Sequence, residues 1–521
     1  MAWPRRRAPR AGASRSLPLR AGPLVRWCPS RRRLTRCTPP KRGGSRRTST
    51  RPIHHVARTS SAFPPSKTFH PARWFHSGKS LVKHGTAVPW RCRRASPAIL
   101  PHSAPAACYH RRRNTLDYSI RPITPAEAPA FFQCHGAAFG HDDQPDLLPH
   151  TLQYGELDRT GSVWDGDQVV GTTGVWSFDM TVPGAHLPCA GVTWVSVRPT
   201  HRRQGILTAM MRAQLEHIRE RGEPIAMLWA SEAPIYRRFG YGLAAEGAEF
   251  RIDRTRTALA HAAPATGRVR FVTREDALAA WPAVYERARH DIPGMHSRSA
   301  AWWEHRILRE PEFPAPGFSS SFFVQYEEAG QVLGYVRYRI KESEEDGSAT
   351  STLAVRELMS TTVGAYSALW QYVFGVDLIG TIKAEFRRAD EPLYHMLADP
   401  RRLVRRPTDT VFCRIMDPVA ALSGRRYAAE GACVLEVTDA FAPWVAGRYH
   451  LEGGPDGATC APTTREPDIT LSATELGAIF LGGTRLTPLW QAGRVHGSPA
   501  AIARADATFG WHTLPWAPEI W

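Results

Sequence analysis

A basic loop over residues 200–205, which ends in glycine, is the stretch of this sequence whose residue types first suggest chemistry. Residues 192–197 form an apolar, β-branched run that Pro199 stops, and hydrophobic residues recur at helical spacing over 206–218. The unpaired N–H groups of a helix start, together with arginine side chains, suit a phosphate or pyrophosphate. Taken alone, the Arg-x-x-Gly spacing fits a solvated helix cap equally well.

A second string about one helix later adds a candidate acid. Residues 224–230 are typical of another apolar strand, and residues 231–239 indicate a short helical segment. Tyr236 lies within that segment. A tyrosine hydroxyl has an ordinary pKa of about 10, so it is protonated at neutral pH and able to donate a proton. A tyrosine that only packs in the core is the alternative.

Both strings resemble one superfamily. The loop reads Arg202-Arg-Gln-Gly205-Ile-Leu207, which is similar to the Arg/Gln-x-x-Gly-x-Gly/Ala motif of the GNAT acyl-CoA N-acyltransferases, with leucine in the last place. The longer string Ala230-Ser-Glu-Ala-Pro-Ile-Tyr-Arg-Arg-Phe-Gly-Tyr-Gly242 resembles the Eis (enhanced intracellular survival) family of multi-acetylating aminoglycoside N-acetyltransferases. The likeness extends, more weakly, from about Asp117 to the C-terminus.

The resemblance implies that acetyl-CoA is the co-substrate, that no metal takes part, and that particular residues bind acetyl-CoA. Its pantetheine arm would pair with the strand residues Val195, Ser196 and Val197, and Ser231 and Glu232 would line its far side. Its pyrophosphate would lie on the loop formed by Arg202, Arg203, Gln204, Gly205, Ile206, Leu207 and Thr208.

The resemblance also implies two proton-transfer roles. Tyr236 would be the proton donor to the CoA sulfur, and the C-terminal α-carboxylate of Trp521 would accept the proton of the amine. The family typically ends in phenylalanine, so Trp521 matches it in being aromatic. A carboxylate with a pKa near 3.5 is a weak base, so it would relay or orient the proton unless its site is dry. A terminus docked only for packing is the alternative.

The acceptor is expected to be a polycation such as an aminoglycoside, because acidic residues are candidates to attract it. These are Asp142, Asp143 and Glu519, although the carboxylates could equally form an ordinary solvated loop. Protein lysines and polyamines present the same amine chemistry and are an alternative. A sensor that binds acetyl-CoA, with a basic tail for nucleic acid, is an alternative of another class, and a lipid carrier is a third.

The charge is divided unevenly along the chain. Residues 1–116 contain 27 Lys and Arg and no Asp or Glu, which leaves 40 basic and 48 acidic residues for the remainder. This Arg-, Pro- and Ser-rich extension is predicted to be disordered. A nucleic-acid arm, a transit peptide and a mis-assigned start compete to explain it, and we favour the last, although the next methionine is Met180.

The remaining residues are expected to fold as three α/β (α+β) domains. We predict a catalytic GNAT domain over 117–260, a degenerate GNAT-like domain without a CoA site over 261–408, and a sterol-carrier-like domain over 409–521. Scattered cysteines and the lack of a long apolar run favour a cytoplasmic bacterial protein that does not bind membranes. The resemblance further implies a homohexamer.

Overall fold

The structure is a computed structural model that describes residues 118–141, 146–309 and 317–521. The predictions for the basic extension, and for Asp142 and Asp143, therefore lie outside the described residues. In the first region the chain forms β1 Ile120–Arg121, α1 Ala128–Phe139, α2 Leu148–Tyr154, β2 Gly161–Asp165, β3 Gln168–Val182, β4 Ala185–Val197, α3 Ile206–Glu220, β5 Ile225–Trp229, α4 Ala233–Arg237 and β6 Gly242–Leu243.

The second region repeats this order of elements. It forms β7 Glu246–Asp253, β8 Arg268–Phe271, α5 Arg274–Arg289, α6 Ala300–Trp302, β9 Phe322–Glu328, β10 Gln331–Lys341, β11 Glu344–Glu345, β12 Ser348–Ala349, β13 Ser351–Ser360, α7 Val363–Gly375, β14 Ile379–Arg388, α8 Leu393–Met396 and β15 Val404–Asp409. Each of the first two regions has one pair of parallel strands that a helix connects. The pairs are β4 with β5 and β13 with β14.

The third region is a smaller α+β unit. It forms β16 Val411–Ile415, α9 Pro418–Ser423, β17 Gly431–Thr438, β18 Gly447–Gly454, β19 Gly457–Pro462, β20 Ile469–Ser472, α10 Ala473–Ile479, α11 Leu486–Gln491, β21 His496–Gly497 and α12 Pro499–Phe509. Its sheet has the order β19-β18-β17-β20-β21. The Ser498 side chain caps α12 by accepting from the N–H of Ala501, as the Ser-Pro sequence predicts.

Sheet membership differs from the predicted domain boundaries at both junctions. The first sheet has the order β1-β2-β3-β4-β5-β16-β6, and the second has the order β15-β7-β14-β13-β10-β9-β8. Strand β7 therefore belongs to the second sheet although it precedes residue 260, and β16 belongs to the first sheet although it follows residue 409. Backbone pairing decides this exchange: β7 pairs along its length with β14 and β15, and β16 pairs with β5.

The predicted amphipathic helix of the motif is confirmed as α3. Its buried side chains recur at three- and four-residue spacing and face the first sheet: Ile206, Met210, Met211, Gln214, Leu215 and Ile218. The amide nitrogen of the polar Gln214 is paired, because its Nε2 donates to Thr173 Oγ1 at 2.5 Å and to the Gly174 carbonyl at 3.2 Å. The helix is thus fixed on the sheet with its N-terminus at the basic loop.

Candidate active site

The two parallel strands of the first sheet separate at their carboxyl ends. Strand β4 pairs with β5 only from Cys189 to Val192, whereas β4 continues along β3 as far as Val197. One edge of β4 beyond Val192 is therefore left without a strand partner among the described residues. The predicted residues Val195, Ser196 and Val197 lie on this stretch, where backbone N–H and C=O groups are available to an extended ligand.

A bulge in β4 marks the start of this opening. Thr172 pairs with Ser196 and Gly174 pairs with Thr193, so two residues of β4 lie opposite one of β3. Trp194, within the bulge, has φ +52°, which is uncommon for a bulky residue. Its ring lies over Gly174, where an added Cβ would come within 2.6 Å of Trp194 Cε3. The glycine therefore makes room for the side chain that the bulge turns inward.

The basic loop leads directly into α3. Gly205 has φ +93°, and no atom of the described residues lies within 4 Å of the position that its Cβ would take. Arg203 also has positive φ, at +66°. Within the part of the chain that the structure describes, no side chain caps the first turn of α3, so the N–H groups of Ile206, Leu207 and Thr208 have no side-chain partner there. This is the arrangement that binds a pyrophosphate at a helix N-terminus.

The predicted loop side chains have different surroundings. Arg202 ties the loop to the rest of the domain, because its Nη2 donates to the Ala138 carbonyl at 2.9 Å. Tyr118 Oη donates to the Gln204 carbonyl at 3.1 Å and also holds the loop. The side chain of Arg203 is exposed. Two hydrogen bonds thus hold the loop in place, and the guanidinium of Arg203 stays exposed to solvent.

The corresponding helix start in the second region is closed. The Thr362 side chain accepts from the N–H of Ala365 and caps α7. Beyond the parallel pairing of β13 with β14, Arg387 Nη1 donates to the Leu358 carbonyl at 3.1 Å, and its Nη2 binds Glu391 at 2.7 Å. The gap between these strands is therefore filled by protein. That the second GNAT-like domain has no CoA site stays a prediction.

Tyr236 lies at the carboxyl end of β5, on α4. It is only 6% exposed and packs edge-on against the ring of Tyr241, with ring centroids 6.1 Å apart. Burial raises the pKa of Tyr236 to about 12, so the hydroxyl stays protonated through the neutral range. Ser231 and Glu232 lie on the exposed loop between β5 and α4, and their predicted contact with acetyl-CoA stays a prediction.

The C-terminal tail packs against the first and second regions of the chain. The N–H of Trp516 donates to the Pro293 carbonyl at 2.8 Å, and its Nε1 donates to the Phe386 carbonyl at 2.6 Å. Trp521 is 6% exposed, and its carbonyl oxygen accepts a hydrogen bond from Thr193 Oγ1 at 3.1 Å. The chain therefore ends beside the last pairing of β4 with β5, at the start of the strand opening.

Aromatic rings surround the terminal side chain. The Trp521 ring lies edge-on to the rings of Phe178, Trp229 and His296, with centroid distances of 5.4, 6.1 and 5.2 Å. Phe178 is on β3 and Trp229 is the last residue of β5. Edge-to-face contacts of this kind add to the burial of the indole. The expectation that the apolar terminus is docked is confirmed.

Glu519 is not free to receive a cationic substrate, contrary to its predicted role. Its Oε1 accepts from Arg298 Nε at 2.7 Å, and its Oε2 lies 3.6 Å from Arg306 Nε. Burial alone would raise its pKa, but the positive charges beside it, that of Arg298 above all, hold that pKa well below the usual range. The carboxylate is already neutralised by side chains of this chain.

Sequence reasoning missed several residues of this site. Thr193 lies just before the motif, but nothing local indicated that its hydroxyl would meet the C-terminus. His296 and Arg298 belong to the loop before α6, and neither sits in a pattern that suggests chemistry. They become part of the site only because the C-terminal tail packs against them. Among the described residues no group of three or more metal-ligating side chains is found, and no helix is long and apolar enough to cross a membrane.

Comparisons with known proteins agree with this arrangement. A model of the acetyltransferase (GNAT) domain matches residues 119–244, a second GNAT model matches 294–415, and a sterol carrier protein domain matches 418–518, which confirms the predicted fold class. An uncharacterized N-acetyltransferase of Streptomyces avermitilis is 42% identical over 368 residues, covering 70% of this chain and 90% of the relative.

Two further comparisons concern proteins named Eis. N-acetyltransferase Eis of Mycobacterium tuberculosis is 36% identical over 357 residues, covering 66% of this chain and 84% of that protein. The crystal structure of Eis1 from Mycobacterium abscessus superposes with a TM-score of 0.68 and 33% identity, covering 77% of this chain and all of that one. The likeness to these proteins thus extends well beyond the motif.

Proposed function

The chain belongs to the Eis family of GNAT N-acetyltransferases, and from this premise we propose that it acetylates amines of a polycationic acceptor, such as an aminoglycoside, with acetyl-CoA. The observation that carries the proposal is the docked terminus. An oxygen of the last residue, Trp521, accepts a hydrogen bond from Thr193, at the point where β4 and β5 separate. A carboxyl group at the mouth of a GNAT strand opening is suited to take a proton from an attacking amine.

The described residues fit acetyl-CoA, which supplies the acetyl group as an activated thioester. The free edge of β4 from Val195 to Val197 suits an extended pantetheine arm, and the uncapped start of α3 suits the pyrophosphate. Arg203 adds a cation beside that helix start. The open space around Gly205 lets a phosphate approach the backbone closely.

Tyr236 holds the proton that the CoA sulfur needs on departure. With the pKa of the tyrosine at about 12 and that of a thiol at about 8.5, complete transfer would cost about 5 kcal/mol. Tyr236 therefore stabilises the developing thiolate mainly by donating a hydrogen bond in the transition state. Such a donor is worth about 100-fold or more in rate.

The Trp521 carboxylate accepts the proton that the amine loses. Thr193 donates one hydrogen bond to it and fixes its direction, while aromatic rings pack against the Trp521 side chain. A fixed carboxylate of this kind orients the amine and relays its proton. The polycationic acceptor class draws support from the excess of acidic over basic residues after position 116.

Acceptor choice is tested by thiol release from acetyl-CoA with the full-length protein. Separate reactions contain an aminoglycoside, spermidine or a lysine-rich peptide, each with a matched acceptor whose amines are already acetylated. The proposal predicts the highest kcat/KM for the aminoglycoside. A higher value for the peptide or the polyamine would assign the enzyme to that acceptor instead, and acetyl-CoA binding without release on any amine would favour the sensor. The homohexamer is also part of the proposal, and native mass spectrometry tests it.

A further inference from the structure

A buried cation beneath the tail joins two carboxylates from distant parts of the chain. The side chain of Arg298 is fully buried. Its two Nη atoms donate to the carboxylate of Glu357, on β13, at 3.0 Å each, and its Nε donates to Glu519 Oε1 at 2.7 Å. The guanidinium also lies over the ring of Tyr285, 3.8 Å from its centroid. Arg298 therefore connects the core of the second region to the end of the third.

Other side chains complete the enclosure of Glu519, whose side chain is only 13% exposed. Trp302 Nε1 donates to its Oε1 at 3.3 Å, and His296 Nε2 lies 3.3 Å from the same oxygen. Arg306 lies 3.6 Å from Oε2 and also donates to the Ile520 carbonyl. A carboxylate held by several donors on one rigid frame has very little freedom to move.

This anchor lies two residues before the end of the chain. Two residues span at most about 7 Å, so fixing Glu519 confines the terminal carboxyl group to a small volume. The intervening Ile520 side chain is 49% exposed and adds little to the docking. The anchor at Glu519 and the Trp521 ring against His296 therefore set where the chain ends.

We propose that Glu519, which Arg298 holds in place, is a positioning residue of the transfer reaction that sets the terminal carboxylate of Trp521 against the acceptor amine. The inference rests on the proposed function, in which that carboxylate receives the proton. Arg298 lies in the second GNAT-like region, so that region contributes to catalysis although its own strand opening is closed. Glu519 thereby gains a role in place of the substrate contact predicted for it.

The test is a double-mutant cycle in the full-length protein. Three variants are compared with the unchanged enzyme: Glu519→Gln, removal of Trp521, and both together. Glu519→Gln leaves Arg298 paired with Glu357, so the fold is retained. Because a displacement of about 1 Å costs up to 100-fold in rate, we expect kcat to fall between about 10- and 100-fold while the KM for acetyl-CoA is unchanged.

The combined variant separates positioning from a general loss of structure. If Glu519 acts only through the terminal carboxylate, removing Trp521 leaves it nothing to position, and the double variant is no slower than the deletion alone. Asp377→Asn breaks an exposed ion pair with Arg254 and is the control, with kcat unchanged. Equal binding of acetyl-CoA by every variant confirms that each is folded.

Two results would overturn the inference while leaving the proposed function intact: an unchanged kcat in Glu519→Gln, or losses that multiply in the double variant. A third result is distinct from these. If removing Trp521 leaves kcat unchanged, the terminal carboxylate is not the proton acceptor, and the proposed mechanism and this inference both fail.

Discussion

Replacing Tyr236 by phenylalanine should separate activity from stability. The Tyr236 hydroxyl makes no hydrogen bond to any described residue although the side chain is only 6% exposed. Removing it therefore leaves no protein group unpaired, and the free energy of unfolding should change by less than about 1 kcal/mol, in either direction. The same change removes the hydrogen-bond donor of the departing thiolate.

The kinetic effect should be much larger than the effect on stability. Loss of a positioned acid lowers kcat by about 100-fold or more, which corresponds to about 2.7 kcal/mol of transition-state stabilisation. Thiol release at saturating acetyl-CoA and acceptor measures kcat, and urea unfolding measures stability. A Tyr236→Phe enzyme with full kcat would refute the assigned role. A parallel loss of several kcal/mol in stability would show that the hydroxyl is structural.

Three further predictions concern the loop, the terminus and pH. Gly205→Ala should cost about 1–2 kcal/mol of stability, because Gly205 has a positive φ, and it should also raise the KM for acetyl-CoA. Gly222→Ala is the control: Gly222 has φ +72° and equally open space, so this change should cost the same stability without changing that KM. Thr193→Val should lower kcat by about 10-fold or more without weakening acetyl-CoA binding, since it removes a hydrogen bond to a charged group, and equal kcat would contradict the assigned contact. Burial raises the pKa of Tyr236 to about 12, so the native state holds a proton that the unfolded chain releases near pH 10. The free energy of unfolding should therefore fall as pH rises above about 10. A free energy of unfolding that stays constant from about pH 9 to 11 would contradict this prediction.

Local patterns in the sequence were sufficient for the catalytic half of the fold. The periodicity over 206–218 predicted α3, the Pro199 break predicted the end of β4, and the basic loop was correctly placed at the helix start. Each of these depends on neighbouring residues and on backbone geometry. The buried terminus could also be anticipated, because apolar residues at a chain end are best explained by docking.

Contacts between distant residues could not be anticipated in the same way. Thr193 and Trp521 are 328 positions apart, and Arg298 and Glu519 are 221 apart. No local period encodes such pairs, so Glu519 was predicted to attract a cationic substrate rather than to pair with a buried arginine. The exchange of β7 and β16 between sheets escaped prediction for the same reason, since strand pairing is decided by tertiary packing rather than by chain order.

Adding a single glycine after Trp521 tests whether the terminal carboxylate accepts the proton of the amine. The change turns the terminal carboxylate into a neutral amide at the same place and moves the negative charge about 3.8 Å along the chain. We expect kcat to fall by at least about 100-fold while the KM for acetyl-CoA stays the same, because the phosphate loop is untouched. An extended enzyme that retains full kcat would contradict the assignment of the C-terminus as the proton acceptor.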